Sequence, residues 1–363
     1  MRIRMLLTIT SLSLLFVSAC ATPSPTATPP PAPTPTPSGP RTLTLMTHDS
    51  FAISESVIQT FEQANNVTVQ HLPSGDTGAA LNQAILSKAN PLADLFFGVD
   101  NTFLSRAIEA DIFEPYDSPM LAEIPDQLEL DSKHRLLPVD FGDVCLNYDK
   151  VYFQEKGLAA PQTLEDLVKP EYQGLTVVEN PATSSPGLAF LIATVGHFGQ
   201  DGDYTYRHFW RDMRANDVLV TEGWEDAYWG QTTWYGGGRP IVVSYATSPA
   251  AEVFFSEGAI TEPPTGNVLG DGACFRQIEF VGILKGTENR DLAEKFIDFM
   301  LGVQFQEDIP LNMWVFPANN SAALPQVFTD FAQMPENPAF VSPEDIAAYR
   351  EGWVEAWTED VLR

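Results

Sequence analysis

Residues 222–240, EGWEDAYWGQTTWYGGGRP, combine aromatic side chains and carboxylates at high density. The segment holds three of the seven tryptophans of the chain and two tyrosines, with Glu222, Glu225 and Asp226 ahead of Arg239. A stretch this polar, ending in glycines, is not typical of a simple core-facing stripe. The segment therefore indicates either core packing or aromatic faces that contact a ligand.

Polar side chains also follow several predicted strands at the point where each strand ends. They are His48 and Asp49 after TLTLMT, Asp100 after LFFGV, Ser184 after VVEN, and Tyr245 after IVVS. Single residues of this kind often serve as turn formers or helix caps. Their recurrence at the same end of successive strands favours a binding site, since open α/β sheets bind ligands beyond the carboxyl ends of their strands.

The stretch ATSSPGLAFLIATVGHF predicts a helix with Ser185 as its N-cap and Pro186 as its first residue. Thr183 and Ser184 then lie beside the free backbone N–H groups of the helix start, where hydroxyls and anions bind readily. Capping accounts for Ser185, but it accounts less well for three hydroxyls in a row.

Sequence motifs of catalysis are absent from the chain. It has no GxSxG, HExxH, Walker A or CxxC pattern, and its five histidines do not lie at metal-ligand spacing. We therefore expect a binding protein rather than an enzyme, with no catalytic residue, metal or cofactor.

The elements that would position these residues alternate between strands and helices. A β-α-β-α-β pattern runs from TLTLMT to ADLFFGVD, and a second series begins with the long strand-like run LPVDFGDVCLNYDK. We predict an α/β protein of two lobes, each a mostly parallel sheet with flanking helices, with a ligand cleft between them. The predicted lobes are 41–142 with 275–308, and 143–274 with 309–363.

The chain is strongly acidic, with a formal net charge of −28 from 48 acidic and 20 basic residues. Such a chain repels nucleic-acid phosphates, so no nucleic-acid partner is expected. The acidic surface either serves solubility alone or favours a small cationic ligand.

The N-terminus has the pattern of an export signal. Arg2 and Arg4 precede the apolar run 5–16, and the small residues VSA lead to Cys20. This pattern resembles a bacterial lipobox, in which the cysteine is lipidated; an ordinary cleaved signal is the alternative. Residues 21–40 are rich in Pro and Thr and predict an extended linker. We expect an exported protein, tethered by its lipid to the outer face of the cytoplasmic membrane.

Two cysteines, Cys145 and Cys274, remain in the body of the chain. An oxidising, exported setting predicts one disulfide between them. Two separate buried thiols are the alternative.

The body, from about residue 43 onward, resembles the bacterial thiamine-binding proteins, the substrate-binding components of thiamine ABC transporters. The resemblance lies in THDSF (47–51), NPATSSPGLAFL (180–191), EGWEDAY (222–228), VVSYATSPA (242–250) and NMWVFPAN (312–319). It implies a two-lobed type II periplasmic-binding-protein fold. It also implies a monomer that delivers thiamine or its phosphates to permease subunits in the membrane.

Carried over position by position, the resemblance implies aromatic contacts to the ligand from Trp224, Tyr245 and Trp314. Thiazolium is a flat, weakly hydrated cation, and cation–π attraction to such rings contributes roughly 0.5–2 kcal/mol per contact. Tyr228 is expected to support Trp224 from one turn on. The other large aromatic residues of the segment are expected to have no ligand role, and to pack the outer face of the helix after Trp224 or cover the longer loop: Trp229, Trp234 and Tyr235.

The resemblance also implies polar contacts. The acidic candidates are Asp49, Asp76 and Asp100. Ser184 is expected near the hydroxyethyl or phosphate end of the ligand. This chain departs from the family at His48, where a tyrosine is usual, and at Ala182, where an arginine is frequent.

Other ligands on the same fold stay open, namely polyamines, hydroxymethylpyrimidine and ferric ion. Ferric-ion binders use paired, often adjacent tyrosines, whereas Tyr245 is followed by Ala246.

Overall fold

The protein is described by a computed structural model over residues 39–363. The predicted export signal, the lipidation site Cys20 and nearly all of the predicted linker 21–40 lie outside the described residues. Those three interpretations stay predictions.

The first strands and helices follow the predicted order. They are β1 (Arg41–Thr47), α1 (Glu55–Asn65), β2 (Val67–Pro73), α2 (Thr77–Leu86) and β3 (Leu95–Asp100). Strand β1 pairs in parallel with both β2 and β3, which confirms the β-α-β-α-β pattern. The apolar positions of β1 and β3 are buried, so burial of this sheet explains their hydrophobic runs.

The middle of the chain contains the long strand and the second series. Its elements are α3 (Leu104–Glu109), β4 (Phe113–Glu114), β5 (Leu137–Asp149), α4 (Lys150–Lys156), β6 (Thr176–Glu179), α5 (Ser185–Phe198), α6 (Tyr206–Ala215), β7 (Leu219–Thr221), β8 (Ile241–Tyr245), α7 (Ser248–Phe255) and β9 (Thr265–Val268). Helix α5 begins at Ser185, with Ser184 at the N-cap position. The predicted start was therefore one residue late, since Pro186 also fits the second helical position, where no backbone donor is required.

The last third returns to the central sheet and then ends in helices. Its elements are β10 (Phe275–Leu284), α8 (Arg290–Leu301), α9 (Val303–Gln306), α10 (Ile309–Asn312), β11 (Phe316–Pro317), α11 (Gln326–Phe331) and α12 (Pro343–Trp357). Helix α12 contacts α3 as well as α5 and α6. The predicted assignment of 309–363 to one lobe therefore stays a prediction.

The strands of residues 39–363 form one sheet in the order β2-β1-β3-β10-β5-β8-β6-β7, with β4 beside β10 and with β9 and β11 beside β5. The flanks are parallel, whereas β10 and β5 pair antiparallel with each other and with their neighbours. Strand β5 pairs with β10 along its first part and with β8 and β9 along its second part. These two long strands therefore connect the two parallel regions.

A disulfide joins Cys145 in β5 to Cys274, just before β10. Both residues are fully buried. The prediction of a disulfide is confirmed, and it fastens the two connecting strands to each other.

Within residues 39–363, no helix combines the length and apolar character that a membrane crossing requires.

Candidate ligand-binding site

A cavity of about 320 Å³ lies at the carboxyl ends of several strands. It is lined by the loop after β1, the first residues of α2 and α5, residues 224, 225, 228, 229 and 235, the end of β8, part of α7, the middle of β10 and residues 312–315. We call it the acidic cavity, because its lining includes Asp49, Asp76, Glu225 and Glu279.

Most of the predicted site residues meet in the acidic cavity. Those that line it are His48, Asp49, Asp76, Trp224, Tyr245 and Trp314. Their roles toward a ligand stay predictions, but their convergence shows that the strand-end pattern located a cavity.

The Asp76 carboxylate accepts hydrogen bonds from backbone N–H groups of three separate segments. It caps α2 by accepting from the N–H of Thr77 at 2.7 Å, and it accepts from the N–H of Ser185 at the start of α5 at 3.3 Å. The N–H of Trp224 is 3.4 Å from its second oxygen. Burial raises the pKa of Asp76, while the Ser184 hydroxyl and the N–H groups oppose that rise.

His48 faces the cavity as a buried partner of Glu279, with its Nε2 3.1 Å from a carboxylate oxygen. Burial lowers the pKa of His48, but Glu279, with Asp76 and Asp100 farther off, outweighs burial and raises it. The imidazole fits because residue 98 is a glycine at φ +104°: a Cβ there would lie 2.3 Å from the His48 ring.

Asp140 lies opposite Glu279 on the β5–β10 ladder and is fully buried. Neither of its carboxyl oxygens has a hydrogen-bond partner among the described residues. Burial, followed by the charge of Glu279, raises the pKa of Asp140 well above its ordinary value. Burial beside the Glu279 carboxyl, which faces the cavity, therefore favours the protonated form of Asp140.

Trp224 is held in place by two contacts, one at the indole N–H and one on a face of the ring. Its indole N–H donates to the Ser244 hydroxyl at 2.9 Å, and its ring stacks on Tyr228 with centroids 4.9 Å apart and planes 19° apart. The Tyr228 hydroxyl in turn donates to Glu252 at 2.6 Å, a carboxyl whose pKa burial raises to about 7. Trp224 therefore presents a fixed aromatic face to the cavity.

Trp229 and Tyr235 were expected to have no role toward a ligand, yet both line the acidic cavity; their role toward a ligand stays a prediction. They are 40% and 41% exposed. The cause is a π-helical turn at Asp226–Gln231, whose i→i+5 spacing brings Trp229 edge-on to Trp224 at 6.1 Å. Trp234 packs against an apolar cluster instead, as predicted.

Trp314 has left-handed backbone geometry, with φ +60°. This conformation is a genuine outlier for a bulky residue, and such strain concentrates at functional sites. The Thr247 hydroxyl donates to the Trp314 carbonyl, and the indole stacks on Phe328 at 5.8 Å. These contacts hold the strained residue with its ring at the edge of the cavity.

Asp100 and Ser184 do not line the cavity, although both were predicted as ligand contacts. Asp100 is fully buried and accepts from the N–H and hydroxyl of Thr102 and from the side chain of Gln277. The Ser184 hydroxyl is buried beside Asp76. Both residues support the cavity from one layer behind its surface.

Sequence reasoning missed Gln277 and Glu279, which line the cavity from the middle of β10. Gln277 accepts a 2.6 Å hydrogen bond from the Tyr245 hydroxyl. The missed signal was the alternation of polar residues within FRQIEFVGIL, which places residues 277 and 279 on one face of the strand.

No group of three or more histidine, cysteine or acidic residues within 39–363 is arranged to hold a metal ion. The aromatic and acidic lining suits a flat organic cation by cation–π and charge attraction.

Comparison with known proteins decides the family. The model of the bacterial extracellular solute-binding proteins matches residues 90–338. The chain belongs to this solute-binding family. The thiamine-binding periplasmic protein of Brucella suis is 30% identical over 87% of this chain and 91% of its own. The thiamine-binding periplasmic protein of Salmonella typhimurium is 28% identical over 88% of this chain and 94% of its own.

A solved structure of a periplasmic thiamin binding protein superposes on this solute-binding protein with a TM-score of 0.78. The two sequences are 26% identical, and the match covers 90% of this chain and 99% of the other. The two-lobed, type II periplasmic-binding-protein fold is therefore confirmed. Because its relatives are solute-binding proteins, this chain is a binding protein and not an enzyme.

Proposed function

We propose that this chain captures thiamine or its phosphates in the acidic cavity and delivers them to the permease of an ABC importer. The observation that carries the proposal is that Trp224, fixed by stacking on Tyr228, lines the same cavity as the Asp76 carboxylate. The names of the Brucella and Salmonella relatives support the same ligand.

The two halves of thiamine match the two kinds of lining. The thiazolium ring is a permanent cation that suits the faces of Trp224 and Trp314. The aminopyrimidine donates hydrogen bonds, which suits a carboxylate such as Asp76. The hinge lies in the connecting strands β5 and β10, and the lobes 41–142 with 275–308 and 143–274 with 309–363 close over the ligand.

The protein acts outside the cytoplasm in this proposal. Cys20 is lipidated after export, and the linker 21–40 holds the binding body, as a monomer, near the permease. Mass spectrometry of the mature protein tests this step: a diacylated N-terminal Cys20 is expected, whereas an unmodified N-terminus would contradict it.

Calorimetric titration tests the ligand. We expect thiamine to bind at micromolar concentration or tighter, with spermidine, hydroxymethylpyrimidine and ferric ion weaker by at least tenfold. Absence of micromolar binding by every thiamine form would contradict the proposal, and tighter binding of spermidine would replace thiamine with a polyamine.

A further inference from the structure

The charges around the acidic cavity are strongly one-sided. Four carboxylates line it, from Asp49, Asp76, Glu225 and Glu279. No lysine or arginine stands among the described residues that line it. A phosphate that enters the cavity would therefore meet like charge and lose water without gaining a cationic partner.

Two backbone donors that could bind an anion at the edge of the cavity are already occupied. The N-terminal ends of α2 and α5 are the nearest helix starts, and such ends attract anions. Asp76 accepts from the N–H of Thr77 in one helix and of Ser185 in the other, at 2.7 and 3.3 Å. A carboxylate of the protein itself thus takes the place that a phosphate would need.

His48 is the one histidine that lines the cavity within residues 39–363, and its charge is balanced. Its Nε2 lies 3.1 Å from Glu279, and the carboxylates of Asp76 and Asp100 lie near enough to raise its pKa. A protonated His48 therefore neutralises existing negative charge rather than offering a free cation to a ligand.

Arg276 lies close along the chain but on the other face of β10. Its guanidinium donates two hydrogen bonds to Asp143, at 3.1 and 2.8 Å, and lies 5.1 Å from the Phe141 ring centroid. Gln277 and Glu279 face the cavity instead, so the strand alternation turns this arginine away from it.

We infer that the acidic cavity selects unphosphorylated thiamine and discriminates against its mono- and diphosphate. The inference rests on the proposed function, because it assumes that thiamine is the ligand. A phosphate monoester adds about −1.5 to −2 charges at pH 7, which converts the monocation into a net anion. Carboxylates that attract the first form repel the second.

Titration of the wild-type protein at pH 7.5 with thiamine, its monophosphate and its diphosphate tests this selectivity. We expect the monophosphate to bind at least tenfold more weakly than thiamine, and the diphosphate at least a hundredfold more weakly. If thiamine binds and either phosphate binds within threefold of it, the inference is overturned while the proposed function stands. If none of the three binds, the proposed function itself fails.

Neutralising variants identify the carboxylates responsible. Asp76→Asn is expected to weaken thiamine binding and to reduce the thiamine-to-diphosphate ratio of affinities by at least tenfold. Glu225→Gln, at an exposed residue whose side chain contacts the Ser50 hydroxyl at 3.4 Å, is expected to reduce that ratio by about threefold without affecting folding.

The matched control is Asp226→Asn, which removes the same charge one residue along the chain. Asp226 is exposed and is not part of the cavity lining. The thiamine-to-diphosphate ratio of affinities in this variant is therefore expected to equal that of the wild type. Equal ratios in all three variants would show that the cavity carboxylates do not set the selectivity and would overturn the inference.

Discussion

The two faces of the β5–β10 ladder border two cavities of opposite chemistry. Gln277 and Glu279 face the acidic cavity. Arg276 and Ile278 face a second cavity of about 580 Å³, which we call the apolar cavity. It is lined mainly by apolar side chains, including Leu128, Phe141, Phe275, Ile278, Phe316, Met334 and Phe340.

The larger of these two cavities is not the one that the site residues indicate. The apolar cavity has no carboxylate among its described lining residues, and its charged residue Arg276 is already paired with Asp143. The acidic cavity is smaller but combines carboxylates with aromatic faces. The chemistry of the lining, rather than the volume of the cavity, therefore indicates which cavity binds the ligand. The alternation of side chains along residues 276–279 of β10 separates the two linings.

The largest effect is expected from Arg276→Ala, and it should fall on stability alone. The change leaves the buried Asp143 carboxyl without its bidentate partner. Loss of one partner of a buried ion pair costs 3–5 kcal/mol, and because Arg276 is partly exposed we expect about 3 kcal/mol in the free energy of unfolding. Urea unfolding measures this loss.

Arg276→Lys keeps the charge but not the paired hydrogen bonds, so its loss should be smaller. Thiamine affinity should change less than twofold in both variants. A tenfold loss of affinity in Arg276→Ala would show that the two faces of the ladder are not independent.

Asp140→Asn is expected to stabilise the protein, and more so at high pH. The folded-state pKa of Asp140 is raised, so its contribution to stability is fully present below the unfolded pKa of about 3.9. That contribution is lost as pH rises through the folded pKa. The variant has no such loss, so its free energy of unfolding should exceed that of the wild type by on the order of 2 kcal/mol at pH 8.

Unfolding by urea at pH 4 and pH 8 measures the difference. The two proteins should be close in stability at pH 4 and diverge by pH 8. A variant that is less stable than the wild type at pH 8 would mean that burial beside Glu279 does not raise the pKa of Asp140.

Trp224→Ala tests the acidic side of the comparison. We expect at least a tenfold loss of thiamine affinity, about 1.4 kcal/mol or more, with little change in unfolding. The control is Phe340→Ala in the apolar cavity, where the ring is 79% exposed and affinity should not change. Collapse of the fold in Trp224→Ala would make Trp224 a core residue instead.

The sequence predicted the strand and helix order well, because alternation and turn residues are local signals. It placed Trp224 and Trp314 at the cavity because EGWEDAY and NMWVFPAN carry the family resemblance. It misplaced Asp100, since a strand-end carboxylate looks the same whether it faces a cavity or caps the following turn.

Two other errors have geometric causes. Trp229 was expected to have no ligand role, whereas the π-helical turn brings it to the cavity. Glu279 was overlooked although the alternation of Gln277 and Glu279 in FRQIEFVGIL is a local signal, because the strand is otherwise largely apolar. The opposing residue, Asp140, is 139 positions away along the chain, so no local pattern reveals the pair.

The most direct test of the central claim is a crystal structure of the protein grown with thiamine. We predict one thiamine in the acidic cavity, its thiazolium within about 6 Å of the Trp224 ring centroid and its aminopyrimidine beside a cavity carboxylate. Thiamine bound in the apolar cavity, or in the acidic cavity away from Trp224, would contradict the account.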